Sequence, residues 1–294
     1  MNTPAISVII ATANRADKLT NAIESLLSQT EKGFELLVVD CGSNDQTENV
    51  VRSFMDERIH YHYVDSRDRG NACAKAVKRS RGYFVAFMDA HSLWHSSLLK
   101  RLRNALEASS RKVGVSYTAA DCFNEEGALY QSFPPAGFPQ GNIARELFLA
   151  PVIAPSSMLI RREVLMPLLK QADRFWFQDD HALSIRLSAL TEFVSVEETL
   201  VSLKDVGGQS ARGVAQISDT RGEALMRALE EMPGIVPLRF GRRCLADYYG
   251  ERAEAESAKG QINTALGSAS KVLIYTPFSI RAWVRIVRLA VSRP

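Results

Sequence analysis

The stretch AISVIIATANRADKLTNAIESLLSQTEKGFELLVVDCGSNDQT, residues 5–47, decides the fold. Its first seven residues are a continuous apolar run rich in β-branched side chains and bounded by turn formers. That composition predicts a buried strand over 5–11. Leu19, Ala22, Ile23, Leu26 and Leu27 then recur at helical spacing and form one apolar face. FELLVVD (34–40) is a second buried strand. The CGSNDQT behind it is a polar Gly/Asn/Asp turn that can cap a following helix.

Outward from this stretch the pattern repeats. RIHYHYV (58–64) alternates as a third strand, and residues 71–81 suit a short basic helix. GYFVAFMD (82–89) is a fourth strand, with a helix in SSLLKRLRNALEAS behind it. Four strand–helix alternations predict an α/β fold, a mostly parallel sheet flanked by helices on both faces. Ligands of such folds gather at the carboxyl ends of the strands. Asp40 and Asp89 both fall there, each before a polar turn, so they belong to one rim and one cleft.

After residue 112 the alternation breaks. VGVSYTAA (113–120) is a strand, and residues 121–142 form a long Gly- and Pro-rich loop of the kind that binds or covers ligands. SSMLIRREVLMPLLKQ is a strand entering a helix, FWFQDDHALSIRLSAL an acidic turn and a helix, and TEFVSVEETLVSLKD two short strands. The Gly/Ser-rich run VGGQSARGVAQ (206–216) marks a boundary. The expected domains are 1–215 and a C-terminal helical region over 216–294, with one helix in SDTRGEALMRALEEM and a helix pair broken near Pro277.

Composition narrows the function. The 294 residues are 46% hydrophobic and 23% charged, and the net charge of +3 is too small to point to nucleic acid. No signal-peptide pattern opens the chain and no apolar run is long enough to span a bilayer, so a cytoplasmic protein is expected, soluble or peripheral at the inner face of a membrane. Cys41, Cys73, Cys122 and Cys244 are scattered without a CxxC pair, which predicts reduced, half-buried thiols. In the tail, Arg281, Arg285 and Arg288 form a basic stripe among Phe278, Ile280, Trp283, Val284 and Val287, with no acid in residues 277–294. The pattern fits an amphipathic helix on an anionic membrane surface, and equally a terminal helix docked on its neighbour.

The residues that carry chemistry cluster in three places. Asp89 and His91 combine a carboxylate with an imidazole, a donor pair that suits Mn²⁺ better than the all-oxygen shell of Mg²⁺. A helix N-cap beginning at Ser92, with a solvated histidine, fits the same segment. Arg67, Arg69, Lys75, Lys78, Arg79 and Arg81 are a basic run that can meet phosphates or simply face water, and Arg69 before Gly70 is the member favoured for a nucleotide. Asp179 and Asp180 are either helix-capping acids or a general base.

Taken in order, ISVIIATANR, FELLVVDCGSNDQT, RGNACAKAVKRSRGYFVAFMDAHSLW, SSMLIRREVL and FQDDHALSIRL closely resemble the inverting glycosyltransferases of family 2, over roughly residues 5–210. The resemblance implies the GT-A fold and a nucleotide-sugar donor, with Thr12, Asn14 and Arg15 beside the base and Asp40 reading its edge. It implies that Asp89 and His91 stand for the family's DxD, Asp89 near ribose and metal and His91 binding Mn²⁺ or Mg²⁺. It makes Asp180 the base that deprotonates the acceptor hydroxyl. The mucin-type N-acetylgalactosamine transferases, which share the fold, have a similar Asp-x-His. Two further positions depart from the family: Ala13 stands where an aromatic residue is common, and Cys41 where a second acid is frequent. The expected activity is metal-assisted, inverting transfer of a single sugar from a nucleotide-diphosphate sugar, a UDP-sugar in the first instance, to the hydroxyl of a carbohydrate or lipid-linked glycan. The alternative is a non-catalytic nucleotide-sugar-binding relative.

Overall fold

The computed structural model describes residues 3–154, 156–169, 175–178, 180–204 and 219–278, and beyond them 280, 283, 284, 286 and 287. The chain divides into two compact units, 1–212 and 213–294.

The first unit opens with β1 (Ile6–Thr12), α1 (Ala16–Leu27), β2 (Phe34–Asp40), α2 (Thr47–Ser53), β3 (Ile59–Tyr63), α3 (Arg69–Arg79) and β4 (Phe84–Phe87). These four strands are parallel, in the order β3-β2-β1-β4. Every residue of β2, and all of β1 but Ala11, is buried, because helices cover a parallel sheet on both faces. α1 turns Leu19, Ala22, Ile23 and Leu26 inward, and α3 buries Ala72, Cys73, Ala76 and Val77. The β1–β2 register runs from Ile6 opposite Phe34 to Thr12 opposite Asp40, so both strands end level at one rim. β3 is the edge strand, and each of its residues keeps some exposure.

The unit continues through β5 (Ser92–Trp94), α4 (Leu98–Ala108), β6 (Val113–Phe123), β7 (Leu129–Phe133), α5 (Ala144–Leu149), β8 (Met158–Arg161), α6 (Arg162–Leu165), α7 (Asp180–Ser188) and β9 (Glu192–Lys204). The sheet extends from β4 through β8, β6 and β9 to β5, with β7 hydrogen-bonded to β6. β8 runs antiparallel to both β4 and β6, whereas β9 runs parallel to β6 and antiparallel to β5. The α/β architecture with a mostly helix-covered sheet is as expected.

Four local expectations change. Ser92 begins a strand rather than capping a helix: its amide closes a turn on the Asp89 carbonyl, and β5 pairs with Val201–Leu203. The 121–142 loop contains β7, which returns along β6 as a hairpin. Residues 192–204 are one strand rather than two, because register shifts let a single strand follow β6 along its length. The four cysteines are free and fully buried rather than half-buried; burial pushes the Cys73 thiol up to about 11.

The second unit holds α8 (Asp219–Glu231), α9 (Leu238–Ala258) and α10 (Ile262–Tyr275). α9 and α10 meet at Ala253, Ala265 and Ala269, with Ile262, Leu266 and Ile286 packed on that cluster. Such small residues let two helices approach closely. Tyr249 stacks on Tyr275 with ring centroids 5.9 Å apart. In the tail, Ile286 packs inward while Phe278, Ile280, Trp283 and Val287 stay exposed. Arg281, Arg285 and Arg288 lie outside the described residues. Among the described residues no helix is long and apolar enough to cross a membrane.

Candidate active site

The rim at the carboxyl ends of β1 and β2 is stitched together by backbone and turn side chains. The Cys41 amide donates to the Thr12 carbonyl (2.7 Å), and the Asn14 amide to Ser43 Oγ (2.8 Å). Asn14 Oδ1 accepts from the Asn44 amide (2.9 Å), while Asp45 accepts from the Ala16 amide (3.1 Å) and from Thr47. Asn14 takes φ 52°, a left-handed conformation that asparagine tolerates better than most residues. Asn14 and Arg15 are exposed, while Thr12 is buried with its hydroxyl lacking a hydrogen bond.

Asp40 sits just beneath this rim, 1% exposed. One carboxylate oxygen accepts from the Ser43 amide (2.8 Å), and the other from the Tyr61 hydroxyl (2.6 Å). Burial, and then that bond to Asp40, raises the Tyr61 pKa well above the ordinary phenol value. Tyr61 therefore stays a donor and fixes the carboxylate's orientation. It was not among the expected site residues, although the alternation in IHYHY puts it on one strand face with Tyr63. A cavity of about 640 Å³ opens beside it, lined also by Tyr63, Asn71, Lys75 and Arg79.

The second cluster lies where β4, α3 and α7 converge. Arg69, in the first turn of α3, places Nη2 3.6 Å from Asp89 Oδ1 and 3.6 Å from Asp180 Oδ1. Its Nη1 donates to the Phe177 and Gln178 carbonyls (3.1 and 2.9 Å). Asp68 accepts from the Asn71 amide to cap α3 and from Gln178 Nε2. One guanidinium thus gathers two carboxylates that are 91 residues apart in the chain. The other basic residues of the run disperse: Lys75 and Arg79 line the cavity beside β3, and Arg81 pairs with Glu35.

Ser156, between two other elements, ties the acids together a second time. Its amide donates to Asp180 Oδ2 (3.0 Å), and its Oγ accepts from the Asp89 amide (2.8 Å) and contacts Ser92 Oγ (2.9 Å). It adopts φ 63°, strained for a side chain other than glycine. Residue spacing does not mark it, because its role depends on a backbone turn.

Asp89 and His91 occupy the turn between β4 and β5. The described residues contain no group of three or more His, Cys, Asp or Glu that could hold a metal ion. Asp89 and His91 are at most two donors, a carboxylate and an imidazole, of types that suit a divalent cation. The His91 side chain makes no hydrogen bond or ion pair with the described residues, so its ring nitrogens are available for such a role. His60 and His62 lie on the edge strand β3. His60 is 3.9 Å from Glu35, an acidic neighbour that sequence alone did not reveal.

Comparison with known proteins matches residues 7–169, more than half of the chain, to the model of glycosyl transferase family 2. The chain belongs to that family. A glycosyltransferase of Rickettsia felis is 27% identical over 210 residues, 69% of this chain and 33% of the relative. The putative teichuronic acid biosynthesis glycosyltransferase TuaG of Bacillus subtilis is 31% identical over 135 residues, 44% of this chain and 52% of TuaG. The chain thus spans between a third and about half of these relatives. Among solved structures, S. aureus TarS 1–349 in complex with UDP-GlcNAc superposes with a TM-score of 0.65 at 16% identity, over 97% of this chain and 88% of the other. The mannosyltransferase PcManGT of Pyrobaculum calidifontis, in complex with GDP-Man and Mn²⁺, gives 0.57 at 18% identity, over 99% and 87%. These likenesses establish the GT-A fold.

Proposed function

We propose that the chain is an inverting, metal-assisted glycosyltransferase that moves one sugar from a nucleotide-diphosphate sugar, a UDP-sugar in the first instance, to an acceptor hydroxyl of a glycan or glycolipid. The observation that carries this reading is Arg69, within 3.6 Å of both Asp89 and Asp180. A candidate donor-side acid and a candidate base therefore face one point at the carboxyl rim of the sheet, where α/β folds bind ligands. The complexes of TarS with UDP and UDP-GlcNAc support the choice of donor by likeness of fold.

In this reading Thr12, Asn14, Arg15 and Asp40 form the nucleotide side of the cleft, with Tyr61 holding Asp40 in place. Arg69 adds positive charge beside the diphosphate. Asp89 and His91 would hold Mn²⁺ or Mg²⁺, which when bound neutralises the charge growing on the departing diphosphate. Asp180 accepts the proton of the acceptor hydroxyl as that oxygen attacks the anomeric carbon. The Ser156 amide and Arg69 fix the carboxylate's direction. The tail adds a second element to the proposal: its exposed apolar residues Phe278, Ile280, Trp283 and Val287, in a sequence that also carries arginines and no acid, rest on an anionic membrane at the cytoplasmic side, where lipid-linked acceptors are found.

The test is release of UDP from a panel of UDP-sugars with Mn²⁺ and a glycan acceptor. Turnover that Asp180→Asn abolishes, with UDP binding retained by calorimetry, supports the assignment. UDP binding without turnover on any donor and acceptor would favour a non-catalytic binding role.

A further inference from the structure

The strands that end at the candidate active site begin on the opposite edge of the sheet, and a second basic cavity lies there. It has a volume of about 570 Å³ and is lined by Arg81, Arg111, Arg161 and Arg162, with Tyr83 and Met166 among its other walls. Its floor is set by the start of β4 and the end of β8, since Phe84 pairs with Arg161. Asp89 lies five residues further along from Phe84, roughly 16 Å at the rise of a strand. A ligand held in this cavity therefore does not occupy the donor cleft.

The four guanidinium groups are not equivalent. Arg81 is neutralised from behind by Glu35, with Nη2 2.6 Å and Nε 2.7 Å from its carboxylate. Arg161 donates to the Val113 and Leu106 carbonyls (2.9 and 2.6 Å) and its guanidinium lies over the Phe84 ring, so two of its donors are committed to neutral carbonyls while its charge is unmatched among the described residues. Arg162 uses Nε on Ser80 Oγ (3.0 Å), and Arg111 makes no hydrogen bond or ion pair with the described residues. Glu163 is the one acid among the lining residues. Even with Glu35 and Glu163 both counted, positive charge is in excess. Guanidinium groups beside a low-dielectric wall without matching carboxylates favour an anion, and their planar forks match the oxygens of phosphate. The volume exceeds that of a bare ion and lies within the range of small-molecule sites. Tyr83, 72% exposed, presents an apolar ring and a hydroxyl at the same place.

We infer that this cavity is a second ligand site, taking a phosphate-bearing group through Arg111 and Arg162, with Arg161 supplying background charge. The shared chemistry is the phosphoryl group, whether free in solution as a small phosphate compound or displayed by a phospholipid headgroup. The inference does not depend on the proposed sugar transfer, because none of these arginines belongs to the candidate active site.

The test uses the full chain without divalent metal. Inorganic pyrophosphate is titrated by calorimetry into the native protein, Arg111→Gln, Arg111→Gln/Arg162→Gln and Arg69→Gln. The inference expects at least tenfold weaker binding in the double variant, a smaller loss in Arg111→Gln, and in both a larger loss than in Arg69→Gln, which removes a charge of the proposed donor cleft. Arg111 has no partner among the described residues, so its single variant reads the site even if the double variant folds poorly. Co-sedimentation with phosphatidylglycerol vesicles, against phosphatidylcholine vesicles, separates the sources. A loss of vesicle binding in Arg111→Gln identifies a lipid phosphate, and loss confined to pyrophosphate identifies a soluble one. Equal affinity across the arginine variants, loss only in Arg69→Gln, or no binding of either probe would overturn the inference.

Discussion

At the scale of single residues, the candidate chemistry rests on how few contacts hold two carboxylates in one direction. Asp180→Asn keeps the shape of the side chain and removes its basicity. It is expected to lower the rate of UDP release by 10²–10⁴-fold, roughly the contribution of a general base, while UDP affinity measured by calorimetry changes little. A variant that kept most of its turnover would remove Asp180 from the base role. Ser156 gives a finer test, because its amide serves Asp180 and its hydroxyl serves Asp89. Both Ser156→Ala and Ser156→Gly leave the Asp89 amide without its acceptor, and both are expected to raise the KM for donor more than they lower kcat. Glycine alone relieves the left-handed backbone, so Ser156→Gly should be about 1 kcal/mol more stable than Ser156→Ala by chemical denaturation. Ser156→Thr, which retains the hydroxyl but strains the left-handed backbone further, should keep the donor KM near the native value while losing stability; equal KM values in all four proteins would leave Ser156 a purely structural residue. Asp40 and Asp89 were legible as candidates because motif and strand end coincide, and Arg69 and Asp180 because each stands in a motif that opens a helix. Tyr61 and Ser156 were not, since a cross-strand hydroxyl and a backbone amide leave no mark on spacing.

At the scale of elements, the parallel half of the sheet was legible because strands buried on both faces read as unbroken apolar runs, and the helices between them as one-sided stripes. The second half was harder. β5 is a three-residue strand whose pairing partner lies more than 100 residues away, and β9 has exposed stretches that imitate a break. Where β1, β2 and β4 begin, Glu35 is buried and accepts from Ser7 Oγ (2.6 Å), the Arg81 amide (2.7 Å) and the Arg81 side chain. Burial pushes its pKa up, but the bonds from Ser7 and Arg81 outweigh that and hold it below the ordinary 4.5. The stabilisation is therefore complete above pH 4.5 and is lost as pH falls through the lower folded-state value. Glu35→Gln is expected to cost about 1–3 kcal/mol near neutral pH, with the gap from the native protein narrowing in acid denaturation curves below pH 4.5. A constant gap down to pH 3 would show that this cluster is not linked to protonation. At the same edge, a Cβ on Gly82 would stand 2.6 Å from the Ser7 nitrogen and 2.7 Å from the Ile6 carbonyl carbon. Both are backbone atoms of the neighbouring strand, so Gly82→Ala should destabilise by about 2 kcal/mol or more, read as a lower denaturation midpoint.

At the scale of the whole molecule, a candidate rim for sugar transfer, a basic cavity where the same strands begin and an exposed apolar tail are features of one chain, and each can be removed alone. Deleting residues 277–294 is expected to lower co-sedimentation with anionic vesicles while UDP release from the donor, with a soluble acceptor present, stays unchanged. Equal sedimentation would leave the tail a packing role, which the contact of Ile286 with the Ala253 cluster already illustrates. The path of β9 carries a further consequence, for synthesis rather than catalysis. The Asp89–His91 turn is steadied by β5, which pairs with Val201–Leu203, and by the Lys204 amide donating to the His91 carbonyl. As the chain leaves the ribosome, β1 to β4 can assemble early from nearby segments. The turn that would grip a diphosphate has to wait until residue 204 has emerged, because its support comes from the last strand of the unit. Contacts that distant in sequence close slowly. A nascent chain stalled before residue 200 should therefore already protect the β1–β2 amides from hydrogen exchange, yet leave Asp89–Trp94 open and its unpaired edge a target for holding chaperones.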